Sequence, residues 1–366
     1  MAGSTFGNIF TVSTWGESHG KALGVVVDGC PSGIKLSEEI VQKMMDRRKP
    51  GQSKFTTARK EGDEIQILSG VFDGVTTGTP ISMLVFNKDQ KSRDYGNIAY
   101  TYRPGHADYT FDQKYGIRDY RGGGRSSGRE TIGRVAGGAV AMEILKELGI
   151  EIFAYTRSIG PVEINYEKFS RETIMENKAY MPDADAAIEA ETYLEKKLKE
   201  QDSCGGVIEC VIRNMPAGIG DTVFDKLDAN LAKAIMSIGA VKGFEIGDGF
   251  AVSKSTGSVN NDSFYLDENG KVAKKTNHAG GILGGMSDGS DIIFRAAVKP
   301  TPSISQTQHS ITKDMKEVDL EIHGRHDPVV VPRAVVVVEA MAALTVVDLL
   351  FSNMAAKMDN LKKIYL

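Results

Sequence analysis

His19 and His106 sit where an imidazole can move a proton. The first lies in "WGESHG" and the second in "RPGHAD", each bounded by glycine with a carboxylate close by, Glu17 and Asp108 respectively. Both segments read as loops rather than as apolar helix faces. With an ordinary pKa of about 6.5, an imidazole can donate or accept at neutral pH. A lone loop histidine is more often inert, but two in glycine-bounded loops, in a chain with six histidines, favour acid–base chemistry. A third segment, "HGRHDP" at 323–328, sets His323, Arg325, His326 and Asp327 in one turn-like stretch. His323 and His326 have no third ligand at suitable spacing, so no metal is expected.

The stretch "RGGGRSSGRETIGRVAGG", 121–138, supplies a different chemistry. Ser127 and Glu130 have the spacing of a capping box, which predicts a helix starting there. Its first free N–H groups and the positive end of its dipole would face whatever lies beside Ser126 and Ser127. Arg125, Arg129 and the glycines surround that point. Two readings stay open, a pocket for a multiply charged anion and a tight turn before a capped helix. Gly123 and Gly128 have P-loop spacing, but Arg129 stands where lysine is needed and Glu130 where Ser or Thr is needed, which argues against nucleotide hydrolysis.

A second basic concentration runs from Lys43 to Lys60. Arg47, Arg48 and Lys49 complement the C-terminal dipole of a helix stopped by Pro50-Gly51. Lys43, Lys54, Arg59 and Lys60 are left over and lean toward anion recognition. Over the whole chain the charge is −4, which argues against nucleic acid as the main partner, so any cationic site must be local. Three scattered cysteines form no disulfide framework, and the N-terminus carries no signal-peptide pattern, so a reduced, cytoplasmic setting is expected. The one long apolar stretch, 334–351, contains Glu339 and Asp348. Spanning a membrane would cost about 2.5–3.5 kcal/mol for an acid at the bilayer centre, so a buried helix entered after Pro332 is expected instead.

The elements that must position these groups follow from periodicity. Alternation predicts strands at 24–28, 65–69, 81–86, 206–212 and 291–298, and 3.6-residue spacing predicts helices near 37–48, 130–148, 186–200, 224–237 and 333–358. They intermix without βαβα order, which indicates an α+β fold with mainly antiparallel sheets. The segment 162–203 is charge-dense and could be peripheral, yet no linker divides the chain, so a single domain over 1–366 is expected. Forty glycines cluster at 122–124, 137–138 and 278–289, consistent with a ligand site assembled from distant loops.

Taken together, "WGESHG" at 15–20, "RPGHAD" at 103–108, "RGGGRSSGRET" at 121–131, "NHAGGILGG" at 277–285, "KPTPS" at 299–303 and "GRHDP" at 324–328 resemble the chorismate synthase family. The blocks run in order over nearly the whole chain. The resemblance implies a 1,4-anti elimination of phosphate from 5-enolpyruvylshikimate 3-phosphate to give chorismate in the shikimate pathway. It also implies a requirement for reduced FMN without net redox change, a sandwich with helices between two antiparallel sheets, and a homotetramer. By the same resemblance His19 would protonate the leaving phosphate, His106 would stabilise the reduced flavin, and Asp327 would help the flavin take the substrate proton. Arg48, Arg103, Arg129 and Arg325 would bind the substrate anions. Flavin contacts would come from Arg125, Ser126, Ser127, Gly239, Ala240, Gly284, Lys299, Pro300, Thr301, Pro302, Ser303 and Arg325. Arg48 and Lys54 correspond to positions linked with a nicotinamide nucleotide, with NADPH as a potential reductant. Lys54 departs from an arginine found in some members, Gly128 from a common alanine and Gly239 from a common asparagine. An FMN-dependent oxidoreductase acting on another acidic substrate, and a non-catalytic anion-binding protein, are the alternatives.

Overall fold

The computed structural model describes residues 3–49, 62–88, 98–322 and 327–366. Helices run in chain order as α1 (Glu38–Arg48), α2 (Asp108–Tyr115), α3 (Thr131–Glu147), α4 (Thr173–Glu176), α5 (Ala184–Lys199), α6 (Leu227–Met236), α7 (Gly257–Asn260), α8 (Val331–Asn353) and α9 (Met358–Tyr365). Two five-stranded antiparallel sheets enclose α3 and α8. The first orders its strands Thr5–Phe6, Thr11–Gly16, Ala22–Asp28, Ile81–Phe86, Gln66–Ile67. The second orders them Val241–Ile246, Ile292–Val298, Gly206–Arg213, Glu151–Ile159, Val162–Glu163. This is the α+β sandwich anticipated from the sequence.

Period-two burial orients each sheet. Val12, Leu23, Val25, Val27, Ile81 and Met83 turn inward from the first sheet, and Ile208, Cys210, Ile212, Ile292, Phe294 and Ala296 from the second. Between them α3 packs on the first sheet and α8 on the second, and the two helices pack on each other. Close approach is written into α3. A Cβ on Gly133 would stand 2.8 Å from Thr14 Cγ2, one on Gly137 2.9 Å from Val12 Cγ1, and one on Gly138 2.4 Å from Ala340 Cβ. Gly137 and Gly138 therefore serve helix packing rather than the ligand loop suggested by their clustering.

Helix α8 is the buried apolar helix expected after Pro332, and its two acids explain how it tolerates charge. Glu339 accepts Arg47 Nη1 at 2.6 Å, Arg47 Nη2 at 2.9 Å and the Ala154 backbone N–H at 2.9 Å. Asp348 Oδ1 accepts the backbone N–H groups of Asn8, Ile9 and Phe10 at 3.0, 2.7 and 3.0 Å, which ties the N-terminal segment to the core. The helix is long and apolar enough to cross a membrane, yet most of it is buried inside the protein. It ends at Asn353 rather than 358, because burial stops near Leu349 and Met354 is already exposed.

Other boundaries shift for local reasons. Asp183 caps α5 by accepting from Asp185 and Ala186, so the helix begins at Ala184 rather than 186. Around 65–69 only Gln66–Ile67 pairs as a strand, at the sheet edge, while Leu68 is exposed. The capping box does not form. Ser127 accepts from Arg129 N to cap a short 3₁₀ turn at Gly128–Glu130, and Glu130 turns instead to Arg134 at 2.7 Å and Thr14. Helix α3 then starts at Thr131.

Candidate active site

A cavity of about 770 Å³ opens where the edge of the first sheet, the N-terminal end of α3 and the loop after the strand Ile292–Val298 converge. His19 and His106 both line it, although 87 positions separate them in sequence. Around them stand eight cations, Arg48, Arg103, Arg125, Arg129, Arg134, Lys242, Lys299 and Arg333, against two acids, Glu130 and Asp327. In a chain of net charge −4 this is a focused cationic wall, suited to a ligand carrying several negative charges.

His19 follows the strand Thr11–Gly16, and Ser18 Oγ lies 3.2 Å from its Nδ1. The triple glycine sits directly beneath the ring. Gly122 has φ +87°, and a Cβ there would stand 2.6 Å from His19 Cε1. Only a residue without a side chain lets the loop and imidazole meet in this way.

His106 is held by a buried acid. Its Nδ1 lies 2.9 Å from Asp108 Oδ1, and Asp108 also accepts Arg103 Nε at 2.7 Å, Arg103 Nη2 at 2.8 Å and Arg118 Nη1 at 2.8 Å. Arg103 Nη2 also stands 3.1 Å from Nδ1, so carboxylate and guanidinium together fix the ring through that nitrogen and leave Nε2 as the second functional atom. Burial opposes ionisation of Asp108, but hydrogen bonds from Arg103 and His106 and their charges outweigh it and hold the carboxyl far below its usual range.

The arginines converge through a residue that no local motif announced. Asp63, with 0% side-chain exposure, accepts Arg48 Nη2 at 2.5 Å on one oxygen and Arg129 Nη1 at 3.1 Å on the other. Arg48 also donates from Nη1 to Gly128 O at 3.2 Å and Thr131 Oγ1 at 3.3 Å, while its Nε has no partner among the described residues. Burial pushes its pKa down and Arg333 adds repulsion, against the pull of Asp63. Even so, a guanidinium remains charged. Arg48 is therefore more than a complement to the dipole of α1. Arg333 joins the same cluster by donating from Nε to Arg48 O at 3.2 Å and pairing through Nη1 with Asp327.

Other expected residues also line the cavity: Ser126, Ser127, Gly239, Ala240, Thr301, Pro302 and Ser303. Lys299 donates to Gly105 O at 2.5 Å and so ties its loop to the His106 turn. Arg125 lines the wall, but its guanidinium grips Gly16 O at 3.1 Å and Thr14 Oγ1 at 2.7 Å, so it secures the strand before His19. Two expected contacts lie off the cavity. Gly284 belongs to the turn between the short strands Ile282–Leu283 and Met286–Ser287, and Pro300 packs against Gly205, where a Cβ would be 3.2 Å from its Cδ. Lys54, Arg325, His323 and His326 lie outside the described residues.

The wall also suits a flat ligand with hydrogen-bonding edges. At Gly128 and Gly239, both on the cavity, no heavy atom lies within 4 Å of a built Cβ, so bare backbone meets open space. Thr301 Oγ1 is buried on the lining without a partner among the described residues, an unmet group that a ligand could satisfy.

Comparison with known proteins points the same way. The family model described as chorismate synthase matches residues 10–351. The chain belongs to the chorismate synthase family. A chorismate synthase of Lachnoclostridium phytofermentans is 64% identical over 365 residues, covering 100% of both chains. One from Methanococcoides burtonii is 56% identical, covering 95% of this chain and 96% of its own. A crystal structure of a chorismate synthase superposes with a TM-score of 0.77 at 31% identity, covering 98% of this chain and 96% of the other. Membership makes the protein a lyase of the shikimate pathway, which serves aromatic amino acid synthesis.

Proposed function

We propose that the cavity binds 5-enolpyruvylshikimate 3-phosphate beside reduced FMN and eliminates phosphate in the 1,4-anti sense to yield chorismate. The observation that carries this reading is the meeting of two imidazoles and eight cations on one wall, beside backbone open enough for a flat ring. Arg48, Arg103 and Arg129, with Arg325, would bind the two carboxylates and the phosphate of the substrate. His19 would give a proton to the phosphate as its C–O bond breaks, so that the group departs as a weaker base. Reduced FMN, when bound, would supply an electron-rich ring to ease departure of the phosphate and a basic nitrogen for the proton lost from the substrate ring. Gly239, Ala240, Ser126, Ser127, Thr301 and Ser303 would hold it, with His106, fixed by Asp108, near its pyrimidine edge. Asp327 would serve the proton lost from substrate on that side, positioned by Arg333. The balance is one C–H and one C–O bond broken, one C=C bond gained and phosphate released, with no net redox change.

Arg48 and Lys54 would contact a nicotinamide nucleotide if NADPH reduces the flavin, and the chain would work in the cytoplasm as a homotetramer. The test is phosphate release under anaerobic conditions, with and without dithionite-reduced FMN. Release only with reduced flavin supports the reading, whereas release without it, or none in either case, overturns it. His19→Ala separates elimination from hydride transfer, since it should abolish phosphate release and spare flavin reduction.

A further inference from the structure

We infer that Asn87 is the positioning residue that sets the proton donor and an anion-binding arginine at a fixed separation; this deepens the functional reading above and rests on it. Asn87 directly follows the strand Ile81–Phe86 and spends its whole side-chain amide on two parts of the site. Its Oδ1 accepts Arg129 Nε at 3.0 Å. Its Nδ2 donates to Glu17 O at 3.1 Å and Gly20 O at 2.8 Å, the carbonyls on either side of the Ser18–His19 pair. The backbone adds a fourth link, Asn87 N to Lys21 O at 3.1 Å.

Each bond needs the chemistry of an amide. Two carbonyl oxygens require a donor with two hydrogens, and a guanidinium N–H requires an acceptor on the same short side chain. Glu17 O also accepts Gly20 N at 3.1 Å, so the His19 turn is a closed hydrogen-bonded loop that the amide grips at both ends. Arg129 is tied to Asp63 through Nη1, which leaves Nε as the atom that Asn87 steers. The amide thereby joins His19 to Arg129 without lining the cavity itself. Proton transfer is steep in distance, so an error in this separation falls on the chemical step, while loss of the Arg129 contact falls on anion affinity.

Two substitutions divide these effects. Asn87→Asp keeps an acceptor for Arg129 but turns carboxylate oxygens toward two carbonyls, releasing the His19 turn. Asn87→Ala removes both links. For anaerobic phosphate release with reduced FMN, the Asp variant should lose about tenfold in kcat with KM within about threefold of wild type, and the Ala variant should lose a similar factor in kcat and raise KM by about tenfold. Binding of oxidised FMN, followed by fluorescence, should remain within about threefold for both, which also reports that the chain is folded. Unchanged kcat in the Asp variant would overturn the inference, as would parallel loss of kcat, KM and flavin binding in both variants, the mark of a general structural role. Wild-type protein in the same assay reports on the functional reading itself. If it releases no phosphate, that reading fails, whereas active wild type with indifferent variants refutes the role of Asn87 alone.

Discussion

Arg48 and Asp63 meet at 2.5 Å inside the protein, with 1% and 0% of their side chains exposed. Removing the acid strands a buried cation, a change that typically costs about 3–5 kcal/mol. Asp63→Ala should therefore lower unfolding free energy by about that amount in urea titrations. It should also weaken substrate binding, because Arg129 shares the same carboxylate. An Asp63→Ala protein as stable as wild type would show that the pair does not exist in solution.

The crossing of α3 and α8 makes a second prediction. A methyl at position 138 would stand 2.4 Å from Ala340 Cβ and 2.6 Å from its Cα. Gly138→Ala should destabilise by about 1–3 kcal/mol through overpacking. Adding Ala340→Gly should recover part of that loss, and a double-mutant cycle with no coupling would contradict the helix contact.

Acid stability should depend on Asp108. Its folded pKa lies far below the unfolded carboxylate value of about 3.9. A depressed folded value contributes stability that is present above the unfolded pKa and is lost as pH falls toward the folded one. Stability measured against Asp108→Asn should thus show a wild-type advantage that is present at about pH 5 and narrows steadily below about 4. An advantage that instead grew on acidification would reverse the assigned sign.

The thiols give a direct check on packing. Burial pushes Cys30 up to about 11, against a hydrogen bond with Thr76, raises Cys204 to about 11 as well, and holds Cys210 well above the ordinary thiol value. All three are buried. A thiol reagent at pH 8 should leave native protein unlabelled and modify all three cysteines after unfolding in urea. Rapid labelling of the native chain would contradict the core described here.

Much of this architecture was legible because periodicity reports burial directly. The inward residues of Ile81–Phe86 alternate, and the apolar run after Pro332 could only be a core helix once Glu339 and Asp348 had partners. The ends of elements were less legible, since Ser127 and Glu130 satisfy the capping-box pattern but Glu130 finds Arg134 and Thr14 a better use for its charge. Glycine spacing misled at 137–138, where close packing of α3 on the first sheet and on α8 demands the same residue as ligand approach. At the site, His19 and His106 stood out because each sits in a loop next to a glycine with a carboxylate close by. Asp63 and Asn87 did not, since each comes singly from its own segment and gains meaning only when folding joins it to partners distant in sequence. A surplus of cations beyond the α1 dipole was the one sequence signal that pointed toward such partners.

The central claim is that one cavity holds both the leaving phosphate and the flavin. It is tested most directly by the structure of a ternary complex with oxidised FMN and 5-enolpyruvylshikimate 3-phosphate. The account predicts the phosphate within hydrogen-bonding distance of His19, the substrate anions on Arg48, Arg103 and Arg129, and the flavin ring against the backbone at Gly239. Either ligand bound elsewhere, or a phosphate turned away from His19, would contradict it.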